Sequence, residues 1–292
     1  MSRARVAIAT CADFPELNPD DRPLLAALER RGIEAVPVVW DGGELESERF
    51  DGCLLRSTWD YHEKLAAFLT WARRVNERMP LWNPHELVAW NAEKSYLREL
   101  AAAGVPTIPT RWLERDGGHQ LDALLAEEGW EEAVLKPAVD LGARRLRRAR
   151  AGDPAGQSAL AELLAAHDVM VQPFLPSVET EGELSLVYIG GRFSHAVRKV
   201  PKEGDFRVQP SWGGSVHPAE AAAADLEIGE LALSHLPADP LYARVDLVAG
   251  AAGESLLIEL ELIEPLLFLT KWPRAVEDLA DVVLAQLHGR GG

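Results

Sequence analysis

The chain has 292 residues, 47% of them hydrophobic and 26% charged, with a formal net charge of −16 at pH 7. That is room for about two domains with a substantial core, and the composition excludes disorder. The acidic excess argues against nucleic acid as a partner, because phosphate-backbone binding needs a surplus of Lys and Arg. No apolar run approaches the ~20 residues that cross a bilayer, and the first residues lead into a strand rather than a signal peptide. The sequence therefore predicts a cytoplasmic protein without a membrane partner. Cys11 and Cys53 are too few for a zinc or disulfide framework and read as small buried hydrophobes.

Strands are predicted at residues 5–10, 34–40 and 52–56, and helices at 20–31, stopped by Gly32, and at 61–78. This alternation predicts a small parallel-sheet domain over 1–88, with ligands beyond the carboxyl ends of its strands. No Gly-x-Gly-x-x-Gly follows the first strand and no Gly-Lys-Ser/Thr occurs, so dinucleotide and Walker-type readings lose their support. At the end of the third strand stand Arg56, Ser57, Thr58, Trp59 and Asp60. Arg56 is suited to a substrate carboxylate and Asp60 to an ammonium, with the hydroxyls beside them. A capped helix start with a packing tryptophan explains the same residues, and the two readings coexist.

A helix through Leu100 and a stop at Gly104 follow, then a second unit. The predicted boundaries are 89–170 for a linker helix and this compact unit, and 171–292 for a C-terminal domain. In the compact unit, residues 132–136 form a strand ending at Lys136, before a loop containing Asp140, Gly142 and Arg144. The arginines from 144 to 150 read either as a solvated face or as partners of a triphosphate. Residues 168–176 form a strand running into a proline-punctuated hinge. The next strand is closed at Gly190-Gly191 by a hairpin turn, and His195 and Lys199 share a face of the return strand.

Two further strand-like runs carry charge where a core would be apolar. Arg244 and Asp246 lie on one face of residues 241–248, and Glu259 and Glu261 on one face of 255–262, because alternate side chains point the same way. Carboxylates held that close take up a proton or bind a cation, and hard divalent ions such as magnesium take oxygen ligands.

Taken in order, Asn91-Ala-Glu-Lys94, Val-Leu-Lys136-Pro, Val-Gln172-Pro-Phe-Leu175, Gly182-Glu183, Asp205-Phe-Arg207, Arg244-Val-Asp246 and Glu259-Leu-Glu261 resemble the ATP-grasp superfamily. The resemblance covers nearly the whole chain and is carried by the ordered set rather than by any one motif. Within the superfamily the chain looks most like the prokaryotic glutathione synthetase branch and the D-cycloserine-forming ligases. The latter likeness rests on Leu-Arg56-Ser-Thr-Trp-Asp-Tyr61, Phe193-Ser-His-Ala-Val-Arg-Lys199, Tyr242-Ala-Arg-Val-Asp246 and Glu259-Leu-Glu-Leu-Ile-Glu-Pro265.

The resemblance implies an α/β ATP-grasp fold: an N-terminal parallel-sheet domain, a small lid and a C-terminal, mainly antiparallel sheet. It implies an ADP-forming ligase that activates a carboxylate as an acyl phosphate for attack by an amine-type nucleophile, using ATP and two Mg²⁺ ions. Lys94 and Lys136 would hold the phosphates, Gln172, Phe174 and Leu175 the adenine, and Glu183 the ribose. Asp246, Glu259 and Glu261 would ligate magnesium, with Glu261 standing where most relatives carry Asn. Arg207, Arg244 and Lys199 would serve the chemistry. Arg56, Ser57, Thr58, Asp60 and His195 would face a small amino-acid-like substrate, with O-ureido-D-serine as one candidate. A homodimer is the expected assembly.

The chain departs from the resemblance in its lid loop, where Asp140-Leu-Gly142-Ala143 replaces a glycine- and serine-rich stretch and puts a carboxylate beside the γ-phosphate. Arg144 and Arg145 either compensate for it or closure suffers. A glutathione synthetase-like dipeptide ligase and a non-catalytic nucleotide-binding homologue stay open as alternatives at this stage.

Overall fold

The computed structural model describes residues 3–43, 45 and 49–289. Strands β1 (Ala4–Thr10), β2 (Ile33–Val39) and β3 (Gly52–Ser57) pair in parallel, with a short β4 (Leu81–Trp82), in the order β2-β1-β3-β4. Val6, Ala7, Ile8 and Ala9 are all buried, as expected of a parallel strand covered on both faces. Helix α1 (Arg22–Arg30) buries Leu24, Ala27 and Leu28 at helical spacing. The helix predicted from residue 61 begins later: a 3₁₀ turn at Tyr61–Glu63 precedes α2 (Leu65–Arg78), and Lys64 between them has φ −131°.

The predicted linker helix is two helices, α3 (His85–Asn91) and α4 (Tyr96–Ala102). The break occurs because the Lys94 amide donates to the carbonyl of Ala138 at 2.9 Å instead of continuing a helix. The second sheet has the order β5-β8-β6-β7, from β5 (Arg111–Leu113), β6 (Glu132–Pro137), β7 (Arg147–Arg150) and β8 (Val169–Pro173). Helices α5 (Leu121–Glu128) and α6 (Pro154–Leu164) pack on it around Leu125, Leu135 and Leu160. The expected boundary at 170/171 falls inside β8, whose residues 169–173 all pair within this sheet.

After a single turn, α7 (Ser177–Thr180), the third sheet follows. Its antiparallel strands β9 (Glu183–Ile189), β10 (Arg192–Val200), β11 (Ser215–Ala219), β12 (Tyr242–Ala249) and β13 (Ser255–Glu261) take the order β11-β10-β9-β12-β13, with α8 (Ala223–Ser234) between β11 and β12. Gly190 and Gly191, at φ +58° and +73°, make the predicted tight turn between β9 and β10. Helix α9 (Pro273–His288) returns to α1, and Arg31 pairs with Glu277 and Asp281 on it. One core therefore joins Ile8 and Leu28 of the first unit to Ile189, Tyr242 and Leu279 of the last.

Strand β13 is a sheet edge, and its outward backbone groups are paired by other parts of the chain. The Leu257 amide donates to the Pro106 carbonyl at 2.7 Å. The Tyr96 hydroxyl donates to the Leu260 carbonyl and accepts from its amide, both at 2.9 Å. The Asn91 amide group donates to the Leu260 carbonyl at 2.8 Å, and its oxygen accepts from Leu262 at 2.9 Å. Buried backbone groups left unpaired are costly. This bracket fixes the strand that carries Glu259 and Glu261. Among the described residues, no helix is long and apolar enough to cross a membrane.

Candidate active site

Register places Asp246 opposite Glu259, and Arg244 opposite Glu261, on one face of β12 and β13. Ser185 of β9 lies on the other side of Asp246. The Asp246 carboxylate accepts four bonds: from Ser185 Oγ at 2.6 Å, Lys199 Nζ at 2.7 Å, and Arg244 Nε and Nη2 at 3.0 and 2.9 Å. Burial pushes its carboxyl up, but Arg244 and then Lys199 outweigh burial and hold it well below the carboxylate range. Arg244 also pairs with Glu261 and donates to the Leu266 carbonyl at 3.2 Å.

Glu259 pairs with Lys94 at 2.9 Å. Burial raises the Glu259 carboxyl, and Lys94, followed by Lys136, brings it down on balance. Glu261 goes the other way. Burial pushes it up to about 7, with Arg244 opposing and Glu259 and Asp246 adding to the rise. Lys136, buried at the end of β6, is pushed down by burial to about 8, against the attraction of Glu259 and with Lys94 adding to the fall. Lys199 bridges Asp246 to Glu183, which it meets at 2.9 Å. Glycine is needed just before Glu183: Gly182 has φ +75°, and a Cβ there would lie 2.1 Å from the Lys199 carbonyl oxygen.

An apolar wall lies beside this network. Phe174, Ile108, Val208 and Val248 form its buried part, and Val134, Leu175, Phe206 and Ile258 pack against it. Gln172 is buried, its amide donating to Thr110 Oγ1 at 2.8 Å, and Arg148 stacks on Phe174 with 3.6 Å from guanidinium carbon to ring centre. Arg148 and Arg150 are spent on Glu132 at the lid edge, so neither is a free phosphate partner.

The lid loop touches both neighbours. The Gly142 carbonyl accepts from Trp212 Nε1 at 2.9 Å, and Arg144 approaches Glu63 at 3.5 Å. Arg145 pairs with Asp140 at 3.4 Å, so compensation of the loop carboxylate by arginine is what the loop displays. The Asp140 carbonyl accepts from Lys94 Nζ at 2.9 Å. Arg207 is held by Asp205 at 2.6 Å and stacks on Trp212 at 3.5 Å.

The expected substrate residues are placed differently. Arg56 has no exposed surface, pairs with Asp21 at 2.8 Å and donates to the Pro265 carbonyl at 2.7 Å. Only its Nη1 lacks a partner, so a bidentate grip on a substrate carboxylate is not available to it. Ser57 Oγ donates to Asp21 at 2.9 Å and accepts from Asn18 Nδ2 at 2.8 Å, whereas the buried Thr58 hydroxyl has no partner. The ammonium partner expected of Asp60 is Lys64, at 3.2 Å, and its other oxygen accepts from Trp40 Nε1 at 2.7 Å. His195 stacks on Trp272 at 4.5 Å and its Nε2 meets the Leu267 carbonyl at 3.0 Å. Burial pushes it down to about 4. It stands neutral between the Trp272 ring and the Leu267 carbonyl. Sequence reasoning missed the bracket by Asn91 and Tyr96, the anchor Ser185, the Trp212 contact and the buried Glu264; none has a local signal, since each acts on chain distant in sequence.

Among the described residues, no group of three or more His, Cys, Asp or Glu side chains is arranged to hold a metal ion. The three expected ligands stand together on one face, but each is neutralised by a Lys or Arg.

Residues 6–83 match the family model for the D-cycloserine synthetase DcsG N-terminal domain, and residues 106–262 match that for the prokaryotic glutathione synthetase ATP-grasp domain. A cycloserine biosynthesis protein of Streptomyces lavendulae is 34% identical over 282 residues, covering 91% of this chain and 93% of its own. A glutathione synthetase of Prochlorococcus marinus is 33% identical over 175 residues, 59% of this chain and 54% of its own. The crystal structure of D-cycloserine synthetase DcsG superposes with a TM-score of 0.85 at 32% identity, covering 97% of this chain and all of that one.

Proposed function

We propose that this chain, which belongs to the ATP-grasp family and is an ATP-dependent ligase, activates the carboxylate of a small amino-acid-like substrate for attack by a nitrogen within the same molecule. O-ureido-D-serine is the substrate of first choice, and the site is the cleft between the second and third sheets. The observation that carries the reading is Arg244 bridging Asp246 and Glu261 beside the Lys94–Glu259 pair.

ATP enters against the apolar wall, with its adenine near Phe174 and Leu175, its edge toward Gln172, and its ribose toward Glu183. Lys136 and Lys94 meet the phosphates as point charges. Lys94 then exchanges Glu259 for a phosphate oxygen, which frees that carboxylate. The donor set of Glu259, Glu261 and Asp246 is all oxygen and stands on one face of β12 and β13, so these residues fit magnesium once their Lys and Arg partners turn to the phosphates. Two Mg²⁺ ions held there would neutralise the phosphates, with Asp246 giving up one of its four donors.

The substrate carboxylate oxygen attacks the γ-phosphorus, the bond to ADP breaks, and an acyl phosphate forms. The nitrogen then attacks the acyl carbon and loses its proton as phosphate leaves with the bonding pair. Arg244, aligned by Asp246, stabilises charge on the transferring phosphoryl group, and Arg207 approaches from the Trp212 side. The lid loop excludes water through its contacts with Trp212 and Glu63. No enzyme nucleophile is needed.

The test is ADP and phosphate release across a panel of O-ureido-D-serine, D- and L-amino acids and dipeptides, with products identified by mass. ADP release dependent on O-ureido-D-serine, with a cyclised product, is the expected result. Turnover only with two separate substrates would replace this reading with a glutathione synthetase-like one.

A further inference from the structure

Ser185 is fully buried on β9, the middle strand of the third sheet, and its Oγ donates to Asp246 Oδ1 at 2.6 Å. The register is regular on that side: Asp246 lies opposite Ser185, and the pairing of β12 with β9 runs unbroken from Tyr242 to Leu247. On the other side, the pairing with β13 shifts directly after Asp246. An irregularity of that kind re-aims the side chains beside it, so the fixed reference for Asp246 is β9.

The four donors on this carboxylate are not equivalent. Oδ1 takes Ser185 Oγ and Arg244 Nε, and Oδ2 takes Lys199 Nζ at 2.7 Å and Arg244 Nη2 at 2.9 Å. Both donors to Oδ2 are cations on long side chains, for which the phosphates of a nucleotide compete. Lys199 also meets Glu183 at 2.9 Å, so it can leave Oδ2 and still keep a carboxylate partner. Ser185 is neutral, buried and has one side-chain torsion ahead of its oxygen, so phosphates do not draw it away.

We infer that Ser185 is a positioning residue of the metal site: it keeps hold of Asp246 Oδ1 while Lys199 is released, and so leaves Oδ2 as the oxygen offered to magnesium. A carboxylate that lost its donors together would be free to rotate, and the metal would have to order it. A partner that stays removes that cost, which is how hydrogen bonds to ligating groups raise metal affinity. The inference rests on the reading of Asp246 as a magnesium ligand.

The test is binding of Mn²⁺, as a probe for Mg²⁺, to the protein holding a non-hydrolysable ATP analogue, read by electron paramagnetic resonance of the free ion. Wild type is compared with Ser185→Ala, Ser185→Thr and Lys199→Met. Ser185→Ala is expected to weaken Mn²⁺ binding by about 10- to 100-fold. Its metal-free affinity for the analogue and its melting temperature should change little, because Asp246 keeps its bonds from Lys199 and Arg244 until ligands arrive. Ser185→Thr, which keeps the hydroxyl on a residue suited to strands, should retain most of the Mn²⁺ affinity. Lys199→Met should bind Mn²⁺ at least as tightly as wild type, since the donor that must leave Oδ2 is already gone; a network that served folding alone would lose affinity in both variants. Unchanged Mn²⁺ affinity in Ser185→Ala, an equal loss in metal-free nucleotide binding, or weaker Mn²⁺ binding in Lys199→Met overturns the inference. Absence of Mn²⁺ binding in wild type removes the magnesium site and the inference with it. The expected pattern upholds the inference even if wild type makes no cyclised product, in which case the substrate reading alone falls.

Discussion

Arg244 and Glu261 stand opposite each other across β12 and β13, and the same guanidinium grips Asp246 two residues along its own strand. One buried arginine thus holds two of the three carboxylates expected to meet magnesium. Lys199 holds Asp246 from β10, and Lys94 holds Glu259 from the α3–α4 break. The result is a site neutralised by its own cations before any ligand arrives. On the proposed function, ATP and metal bind there by exchange with these cations.

Glu259 and Asp246 separate under mutation for that reason. Glu259→Gln should lower ADP formation by about 10²-fold or more, because Lys94 loses its guide and the proposed magnesium site loses a carboxylate ligand. Its fold should survive, as Glu259 is partly accessible. Asp246→Asn should also lower stability, by about 3 kcal/mol, because Lys199 and Arg244 are left buried without their carboxylate. Urea denaturation beside an ADP assay reads both; unchanged magnesium-dependent activity in Glu259→Gln would sink the site assignment.

ATP affinity should weaken as pH rises through about 8. Burial, the largest influence on Lys136, sets its pKa near 8, with Glu259 and Glu183 opposing and Lys94 assisting. A phosphate partner raises that pKa, so ATP binds the protonated form better and takes up a proton above pH 8. The same depression means the folded state holds fewer protons than the unfolded one between about 8 and the ordinary lysine value. Stability from this group is therefore present above the unfolded pKa and lost as pH falls through 8. Lys136→Arg, charged throughout, should flatten the rise in KM for ATP; a parallel rise in both proteins would assign the effect elsewhere.

Asn91→Ala should cost about 2 kcal/mol, because the Leu260 carbonyl and the Leu262 amide lose a buried partner. The same change should lower kcat more than it raises the KM for ATP, since it loosens the strand carrying Glu259 and Glu261. Denaturation and steady-state kinetics together test this, and a loss of stability with kcat unaltered would limit Asn91 to a structural role.

Arg207→Ala should leave ATP affinity within a few-fold and slow phosphoryl transfer by about 10²-fold. Trp212→Phe keeps a ring for Arg207 to stack on but removes the bond to the Gly142 carbonyl. It should raise the KM for ATP several-fold and leave the single-turnover rate at saturation nearly unchanged. If the two variants behave alike in rapid-quench experiments, Arg207 acts by holding the lid rather than by meeting the phosphoryl group.

The sequence by itself determined the elements and the chemical inventory. Strict alternation put Glu259 and Glu261 on one face of their strand and Arg244 with Asp246 on one face of theirs, and the order of motifs carried the family resemblance. Those features are legible because periodicity and motif order are local properties of the chain. Partner choice is not. Arg56 looked free for a substrate until Asp21, 35 residues away, was found to occupy it, and Asp60 was satisfied by Trp40 and Lys64. His195 stacks on Trp272 and meets the Leu267 carbonyl. Only the tertiary structure decided that Asn91 and Tyr96 cap the outer edge of β13, that Asp246 is saturated, and that Glu264 is buried with an oxygen unpaired. The physical reason is that charge and hydrogen bonding are settled by whichever groups folding brings within about 3 Å, and that distance is not written in the spacing of residues along the chain.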